Sequence, residues 1–353
     1  MVSVFKPQIE QLAAYKPPLD GRDPARYTLL DFNERTIPVG DHIKQALVDF
    51  IHSDRLQMYP AYGDITQQLA DYCQVQEPQV MITNGSDHGI ELIIRAVGGV
   101  GDDAIIPGPT FAIYGQVATV EGMSIVAPDY RKGEGYPVQQ VLAAITDRTK
   151  IIVAASPNNP CGTAISNEQI AQLAKAAPNA GILVDECYFE YTRTSATALL
   201  AQFDNIFITR TFSKTWGLPS LRFGYVLSTA NNITRLLAMR GPYDINQLAV
   251  VAAKAALEKP EYVDDYIAEV MGQSKPKLEA FLTERDIEFW PTTANYILTF
   301  PPQPEALKQA LQAAGILVRP RVDSEGRQGL RITFGTLPQT ERLMAAMAEF
   351  FAR

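Results

Sequence analysis

The sequence has little cysteine, no long hydrophobic run and no excess of positive charge. It holds three cysteines among 353 residues: Cys73, Cys161 and Cys187. So few thiols at such wide spacing argue against a disulfide framework and fit reduced thiols in a cytoplasmic protein. No CxxC or HExxH pattern occurs, so we predict no metal site.

Membranes and nucleic acids are excluded as main partners on similar grounds. No apolar stretch approaches the roughly 20 residues that a membrane helix needs, and we expect no signal peptide in residues 1–18. Lysine and arginine number 31 against 39 aspartates and glutamates, which gives a formal net charge of −8. Because nucleic acids and anionic membranes are bound through clustered positive charge, we predict neither as a main partner.

What the sequence does contain is a regular alternation of short apolar runs and helical patterns. Hydrophobic residues make up 46% and charged residues 20%, as in ordinary globular proteins, and the length allows two domains. Seven apolar runs predict buried strands, at residues 80–83, 104–107, 124–127, 150–154, 181–185, 205–209 and 223–227. Their continuous apolar character and the intervening helices predict an α/β fold with a mostly parallel, doubly wound sheet.

The pattern changes after about residue 230 and predicts a second, smaller α+β domain. Helical sequence fills 231–285, followed by strand-like segments at 288–290, 295–300 and 330–334 and helices at 305–314 and 339–351. Ser166 with Gln169, and Thr336 with Gln339, have the spacing of helix capping boxes. We expect an N-terminal arm (1–39) that packs on the small domain and on a partner subunit, a large domain (40–265) and a small domain (266–353).

Polar side chains follow the predicted strands, which is where ligands bind in open α/β sheets. The segments that begin or end at these points are Asn84-Gly85-Ser86-Asp87, Pro109-Thr110-Phe111, Asn158-Asn159-Pro160, Asp185, Thr211-Phe212-Ser213-Lys214 and Arg222. They supply a lysine for an aldehyde, donors and a cation for a phosphate, a carboxylate for a pyridine nitrogen and an aromatic ring. That set meets the requirements of a pyridoxal phosphate site.

Seven motifs carry a resemblance to a known family. They occupy residues 84–87, 109–111, 156–160, 184–188, 211–214, 221–225 and 329–335. In order and spacing they resemble the fold-type I, pyridoxal-phosphate-dependent aminotransferases, and within them the histidinol-phosphate aminotransferase branch. The resemblance spans nearly the whole chain and implies an aspartate-aminotransferase-like fold.

The resemblance also implies a role for each matching residue. Lys214 would carry the cofactor as a Schiff base and move the substrate's proton, Asp185 would pair with the pyridine nitrogen, and Phe111 would stack on the ring. The remaining cofactor contacts implied are Asn159 and Tyr188 at the phenolate oxygen, and Gly85, Ser86, Asp87, Thr211, Ser213 and Arg222 at the phosphate.

Substrate and subunit contacts are implied in the same way. Arg331 resembles the family's arginine for the substrate anion, and Arg319 and Tyr15 resemble substrate-phosphate contacts of the histidinol-phosphate branch. Tyr59 resembles a tyrosine that reaches the neighbouring subunit's phosphate, so the resemblance implies a homodimer with composite sites. Two positions depart from the family: Cys161 stands where threonine is usual, and Arg35 where asparagine is usual.

The reaction expected is transamination between a small-molecule amino donor and a 2-oxo acid, with histidinol phosphate and 2-oxoglutarate as the branch-level choice. An aromatic aminotransferase and a threonine-phosphate decarboxylase would show similar cofactor residues. Two other classes stay open, a non-catalytic aminotransferase-like binding module and a Rossmann oxidoreductase. The latter needs a dinucleotide fingerprint, and the only candidate, at 99–104, follows a predicted helix and precedes a strand.

Overall fold

Fourteen α-helices and thirteen strands make up the described chain. The computed structural model describes residues 4–10, 12–14 and 16–352. The strands are β1 (Thr28–Leu29), β2 (Val80–Asn84), β3 (Asp103–Ile105), β4 (Ser124–Val126), β5 (Thr149–Ala155), β6 (Gly181–Asp185), β7 (Ile206–Thr211), β8 (Phe223–Leu227), β9 (Glu288–Phe289), β10 (Tyr296–Phe300), β11 (Ile316–Leu317), β12 (Arg319–Val322) and β13 (Gln328–Thr333).

Most of the helices alternate with these strands. They are α1 (Pro7–Glu10), α2 (Asp41–Ile51), α3 (Ile65–Cys73), α4 (Gly85–Val97), α5 (Ala112–Val120), α6 (Val138–Ala144), α7 (Asn167–Ala176), α8 (Phe189–Thr192), α9 (Ala230–Met239), α10 (Gln247–Glu258), α11 (Glu261–Glu269), α12 (Lys275–Thr283), α13 (Pro304–Ala313) and α14 (Leu337–Phe351). Both predicted capping boxes are present: Ser166 with Gln169 opens α7, and Thr336 with Gln339 opens α14.

A seven-stranded sheet forms the centre of the larger part, and its seven strands are those predicted. The strand order is β2-β8-β7-β6-β5-β3-β4. Neighbours are parallel except at β8, which runs antiparallel to both β2 and β7. The three central strands β5, β6 and β7 are almost wholly buried because helices cover both faces. The prediction of a mostly parallel, doubly wound sheet is confirmed.

A four-stranded antiparallel sheet, β12-β13-β10-β9, forms the smaller part. Three of these strands were predicted. The fourth, β12, was missed because Arg-Pro-Arg-Val contains no apolar run. In this sheet Arg319 of β12 lies directly opposite Arg331 of β13. The two strands thus place two arginines side by side at one end of the small sheet.

The N-terminal segment joins this smaller part through backbone hydrogen bonds. Strand β1 pairs in parallel with β11, and the N–H of Thr333 donates to the carbonyl of Leu30. Leu30 is fully buried in the apolar cluster of the small sheet. The division into an arm, a large domain and a small domain, with boundaries at 39/40 and 265/266, stays a prediction.

The helical stretch expected at 231–285 is interrupted. Helix α9 ends at Met239 and α10 begins at Gln247, because Gly241 and Pro242 lie between them. A π-helical turn at Val270–Ser274 joins α11 to α12. The possible dinucleotide fingerprint at 99–104 forms the turn after α4, as its sequence context predicted. None of the helices in the described part of the chain is long and apolar enough to cross a membrane.

A buried ion pair connects Arg210 in β7 with Glu186, which directly follows β6. The Arg210 guanidinium donates to Glu186 at 2.9 Å, and both side chains are about 2% exposed. The same guanidinium lies 3.5 Å over the ring of Phe189. Removing one partner of such a pair leaves a buried charge without compensation.

We expect Arg210→Met to lower the free energy of unfolding by about 3–5 kcal/mol, because the buried Glu186 carboxylate loses its cationic partner. Urea unfolding of the purified protein measures this loss. Lys44→Met, which breaks the exposed pair between Lys44 and Asp41, is the control and should cost less than about 1 kcal/mol. Equal losses in the two variants would contradict the prediction.

Candidate active site

One cavity gathers most of the predicted site residues at the carboxyl ends of β5, β6 and β7. Its volume is about 660 Å³. The predicted residues that line it are Ser86, Asp87, Phe111, Asn159, Asp185, Tyr188, Thr211, Ser213, Lys214 and Arg222. Parallel strands end at the same edge of a sheet, so residues far apart in sequence meet there.

Lys214 follows β7 and faces this cavity, with its chain partly buried. Its amine donates to the backbone carbonyl of Phe32 at 3.1 Å and lies 5.8 Å from the centre of the Tyr188 ring. Burial lowers the pKa of the Lys214 amine, and the positive charge of Arg331 lowers it further. A lysine with a lowered pKa holds a free electron pair nearer to neutral pH than an exposed lysine does.

Asp185 closes β6 and is held by two hydroxyl groups. Tyr114 donates to Oδ2 at 2.5 Å, and Thr209 donates to Oδ1 at 2.9 Å. Burial raises the pKa of this carboxyl to about 6, although both hydrogen bonds act in the opposite direction. No ion-pair partner of Asp185 occurs among the described residues. A buried carboxylate in this state favours a cationic ligand.

Tyr114 and Thr209 were not predicted as site residues. The spacing of each from a predicted site residue nevertheless indicates that it lies on the same face. Tyr114 lies three residues after Phe111, on the same face of α5, and its ring meets the Phe111 ring edge to face at 5.9 Å. Thr209 lies two residues before Thr211 in β7, so both side chains point to one face of the sheet.

The start of α4 and the segment after β7 form a cup of hydrogen-bond donors. Gly85 has φ +74°, and a Cβ at this position would come within 2.6 Å of the Arg222 guanidinium. Arg222 donates to Asp87 at 3.0 Å. The hydroxyls of Thr211 and Ser213 lie 2.9 Å apart. Helix N-terminal N–H groups, hydroxyls and a guanidinium are the groups that bind phosphate.

Arg331 does not line the cavity itself but contacts the lining residue Asn159, and it is 3% exposed. Its guanidinium donates to Asn159 Oδ1 and to the carbonyl of Asp31, each at 2.6 Å. Its Nε is buried and has no partner among the described residues, and burial lowers the pKa of the group. This arginine, with one donor unused, suits an anionic ligand.

Tyr188 accepts a hydrogen bond from Asn33 Nδ2 at 2.8 Å. Because the hydroxyl oxygen is the acceptor in this contact, its own hydrogen is available to an acceptor in the cavity. Asn33 was not singled out by sequence. It is 1% exposed, and its backbone N–H donates to the hydroxyl of Thr333.

Four described residues with predicted roles, Gly85, Arg331, Arg319 and Tyr59, are not among those that line this cavity, although Gly85 adjoins the lining residue Ser86 and Arg331 bonds to the lining residue Asn159. Arg319 lies outside the cavity lining, with its guanidinium 4.9 Å from the centre of the Phe32 ring that lines it. Tyr59 is 76% exposed and stacks on Tyr243 at 4.4 Å, away from the lining residues. The predicted contact of Tyr15 lies outside the described residues.

The two departures from the family pattern have structural explanations. Cys161 is fully buried, and its sulfur accepts from Asn158 Nδ2 at 2.9 Å. Asn158 also accepts from Thr110, so it ties together two loops of the site although sequence gave it no role. Arg35 lies over the rings of Tyr262 and Tyr266 and outside the cavity lining.

Comparisons with known proteins agree with this geometry. The family model described as aminotransferase class I and II matches residues 27–347. The chain belongs to this family. It is 34% identical over 294 residues to histidinol-phosphate aminotransferase 2 of Hydrogenovibrio crunogenus, which covers 80% of this chain and 77% of the relative.

Solved structures share the fold of this aminotransferase. Histidinol-phosphate aminotransferase from Sinorhizobium meliloti, in complex with pyridoxal-5'-phosphate, has a TM-score of 0.88 at 22% identity and covers 100% of this chain and 98% of that one. L-threonine-O-3-phosphate decarboxylase from Porphyromonas gingivalis has a TM-score of 0.78 at 22% identity and covers 92% and 100%. The fold is thus aspartate-aminotransferase-like, as predicted.

The aminotransferases of this class depend on pyridoxal phosphate, and the residues present fit that cofactor. The donor cup leaves room beside Gly85, where a Cβ would close it. The buried carboxyl of Asp185 lies at the far side of the same cavity and suits a pyridinium nitrogen. Lys214 lies in the same cavity with its amine accessible to an aldehyde.

We expect Asp185→Asn to stabilise the cofactor-free aminotransferase above pH 6. The pKa of the carboxyl is about 6 when folded and 3.8 in its ordinary state, so the folded state binds the proton more tightly and loses stability as pH rises from about 4 to 6. That difference corresponds to roughly 3 kcal/mol, and we expect a gain of about 1–3 kcal/mol at pH 8.

Thermal unfolding at pH 5 and pH 8 measures this effect. The gain should be about half as large at pH 5, because the carboxyl is still protonated in the folded state but already ionised in the unfolded state, and pyridoxal phosphate should bind more weakly to the variant at both values. Asp41→Asn, at an exposed position, is the control. A variant that is less stable than the parent at pH 8 would contradict the prediction.

Proposed function

We propose that this aminotransferase exchanges amino groups between histidinol phosphate and 2-oxoglutarate. The observation that carries the proposal is the pair of neighbouring arginines on β12 and β13. Arg331 bonds to the cavity-lining residue Asn159 and has an unused donor, and Arg319 lies opposite it in the sheet, beside Phe32. Two adjacent guanidinium groups suit a substrate that carries a phosphate. The names of similar proteins support the same choice.

Lys214 would act as the acid and base of the reaction. Bound pyridoxal phosphate would supply an aldehyde that takes the amino group and a ring that withdraws electrons from the substrate's α-carbon. Lys214 Nζ would act as the base that removes the proton from that α-carbon. It would then act as the acid that gives up the same proton later in the reaction. The lowered pKa of this amine makes its unprotonated, basic form more available than that of an exposed lysine.

Asp185 and Tyr188 would hold the cofactor in its reactive state. The carboxylate of Asp185, aimed by Tyr114 and Thr209, would keep a proton on the ring nitrogen. The hydroxyl of Tyr188 and the amide of Asn159 would bind the phenolate oxygen. The donor cup at Gly85, Ser86, Asp87, Thr211, Ser213 and Arg222 would bind the phosphate, and Phe111 would cover the ring.

We also propose a homodimer in which each site receives a residue from the other subunit. Tyr59 and Tyr243 stack on each other while staying 76% and 57% exposed. Exposed, ordered aromatic side chains are typical of protein interfaces. Tyr59 would reach the cofactor phosphate of the second subunit, and the location expected for the enzyme is the cytoplasm.

We expect Lys214→Ala to lower kcat by at least about a thousandfold, because the variant has no group to move the α-proton. The phosphate cup remains, so pyridoxal phosphate should still bind. Initial rates of amino transfer and equilibrium dialysis of the cofactor measure the two effects. Rates of the wild-type order in this variant would contradict the role of Lys214.

The substrate is tested by assaying the purified enzyme with histidinol phosphate, phenylalanine and threonine phosphate, each with 2-oxoglutarate. The proposal predicts the highest kcat/KM with histidinol phosphate and glutamate as the second product. The highest value with phenylalanine would support an aromatic aminotransferase instead. Release of CO₂ from threonine phosphate would identify a decarboxylase.

Arg319→Met should discriminate between these substrates. We expect KM for histidinol phosphate to rise about tenfold or more, since a charge-assisted hydrogen bond to phosphate is worth roughly 1.5–3 kcal/mol. The KM for phenylalanine should change less than threefold. Lys44→Met, at an exposed position outside the site, should leave both values unchanged. Equal effects on the two substrates would show that Arg319 does not bind the phosphate.

A further inference from the structure

A short loop between β1 and α2 contacts both functional cations of the site. Residues 31–34, here called the strap, expose three successive backbone carbonyls. These accept hydrogen bonds from Arg331 to Asp31 O (2.6 Å), from Lys214 to Phe32 O (3.1 Å) and from Asn295 to Asn33 O (3.2 Å). The position of the Lys214 amine therefore depends on the conformation of the strap.

Arg22 holds the strap from outside. Its guanidinium donates through Nε and Nη2 to both carboxylate oxygens of Asp31, at 3.0 and 2.9 Å, and through Nη2 to Glu34 at 2.5 Å. The same group lies 4.3 Å over the ring of Phe32, and its side chain is only 11% exposed. A planar guanidinium thus bonds the two ends of the strap and covers its centre, which a flexible ammonium group cannot do.

The strap also brings the Glu34 carboxylate into the cavity that holds the Lys214 amine. Without a cation beside it, this carboxylate would favour the ammonium form of Lys214 and so hold its electron pair. Arg22 pairs with Glu34 and with the buried Asp31, and so offsets much of the negative charge of the strap.

Other charged and titratable groups act on the same amine. They are Glu34 on the strap, Cys187 and Tyr188 after β6, Asp87 on α4 and Arg331 on β13. The negative groups Glu34 and Asp87 raise the pKa of Lys214, whereas Arg331 lowers it. Of these groups, Glu34 is the one bonded to Arg22.

We propose that Arg22 is a positioning residue of the aminotransferase: it fixes the Phe32 carbonyl that receives the Lys214 amine and offsets the negative charge of Glu34 in the same cavity. This inference rests on the role proposed for Lys214. Arg22 does not line the cavity. Its effect on the reactivity of Lys214 would therefore be indirect, through the strap.

The test measures the reactivity of Lys214 in the full chain without cofactor. Acetic anhydride acetylates only neutral amines, so the labelling rate of the peptide that contains Lys214, followed by mass spectrometry from pH 6 to 10, reports its pKa. In Arg22→Met the rate at pH 7 should fall about three- to tenfold, which corresponds to a pKa higher by about half a unit to one unit. Adding Glu34→Gln to this variant should return the rate to within about twofold of the wild type.

Arg148→Met is the matched control, because Arg148 also forms a forked pair with a buried aspartate, Asp103, outside the cavity. It should leave the labelling of Lys214 unchanged. Arg22→Lys keeps the charge but not the fork, and should recover at least half of the lost rate. Equal labelling in Arg22→Met and wild type, equal slowing in Arg148→Met, or no recovery with Glu34→Gln would overturn the proposal.

A second variant tests the proposal if Arg22→Met yields no folded protein. Glu34→Gln alone should then speed the labelling of Lys214 at pH 7 about twofold or more. An unchanged rate would overturn the proposal. The labelling needs neither cofactor nor substrate, so a failure of the proposed substrate assay leaves its result intact.

Discussion

The site is built around a lysine amine that donates to a backbone carbonyl instead of to a carboxylate. A neutral carbonyl can accept a hydrogen bond from an amine or from an ammonium group and favours the charged form less than a carboxylate would, so the contact with Phe32 aims the Lys214 amine without requiring that it be charged. Burial then favours the neutral form. A carboxylate in the same place would hold the amine as a cation and make it a poor base.

The charged groups of the site differ in how they are paired. Arg222 is paired with Asp87, whereas Arg331 is held by an amide and a carbonyl. The buried carboxyl of Asp185 has hydroxyl partners only. The site therefore combines two cations with a buried acid, which suits a ligand with anionic groups and a basic ring nitrogen.

The sequence predicted the large sheet well because its strands are continuous apolar runs that are buried on both faces. It missed β12, whose arginines and proline give no apolar pattern. The residues that line the cavity follow those strands, so motif order was sufficient to find ten of them. The supporting contacts were missed because they are set by packing: Tyr114 and Thr209 act on Asp185, and no motif marks them.

Arg22 and Asn33 were beyond sequence reasoning for a related reason. Asn33 contacts Tyr188 across 155 residues and Thr333 across 300. Nothing in the local pattern of a short polar loop indicates such partners. Four described residues with predicted roles, Gly85, Tyr59, Arg319 and Arg331, lie outside the cavity lining.

The hydrogen bonds between the arm and the small sheet also determine the order in which the site can assemble. Leu30 and Asn33 bond to Thr333, which leaves the ribosome some 300 residues later. The seven-stranded sheet is complete at β8, well before those partners are synthesised. During synthesis the strand ends are therefore present without the strap, and the carbonyl that receives Lys214 reaches its place only after the last strand has emerged.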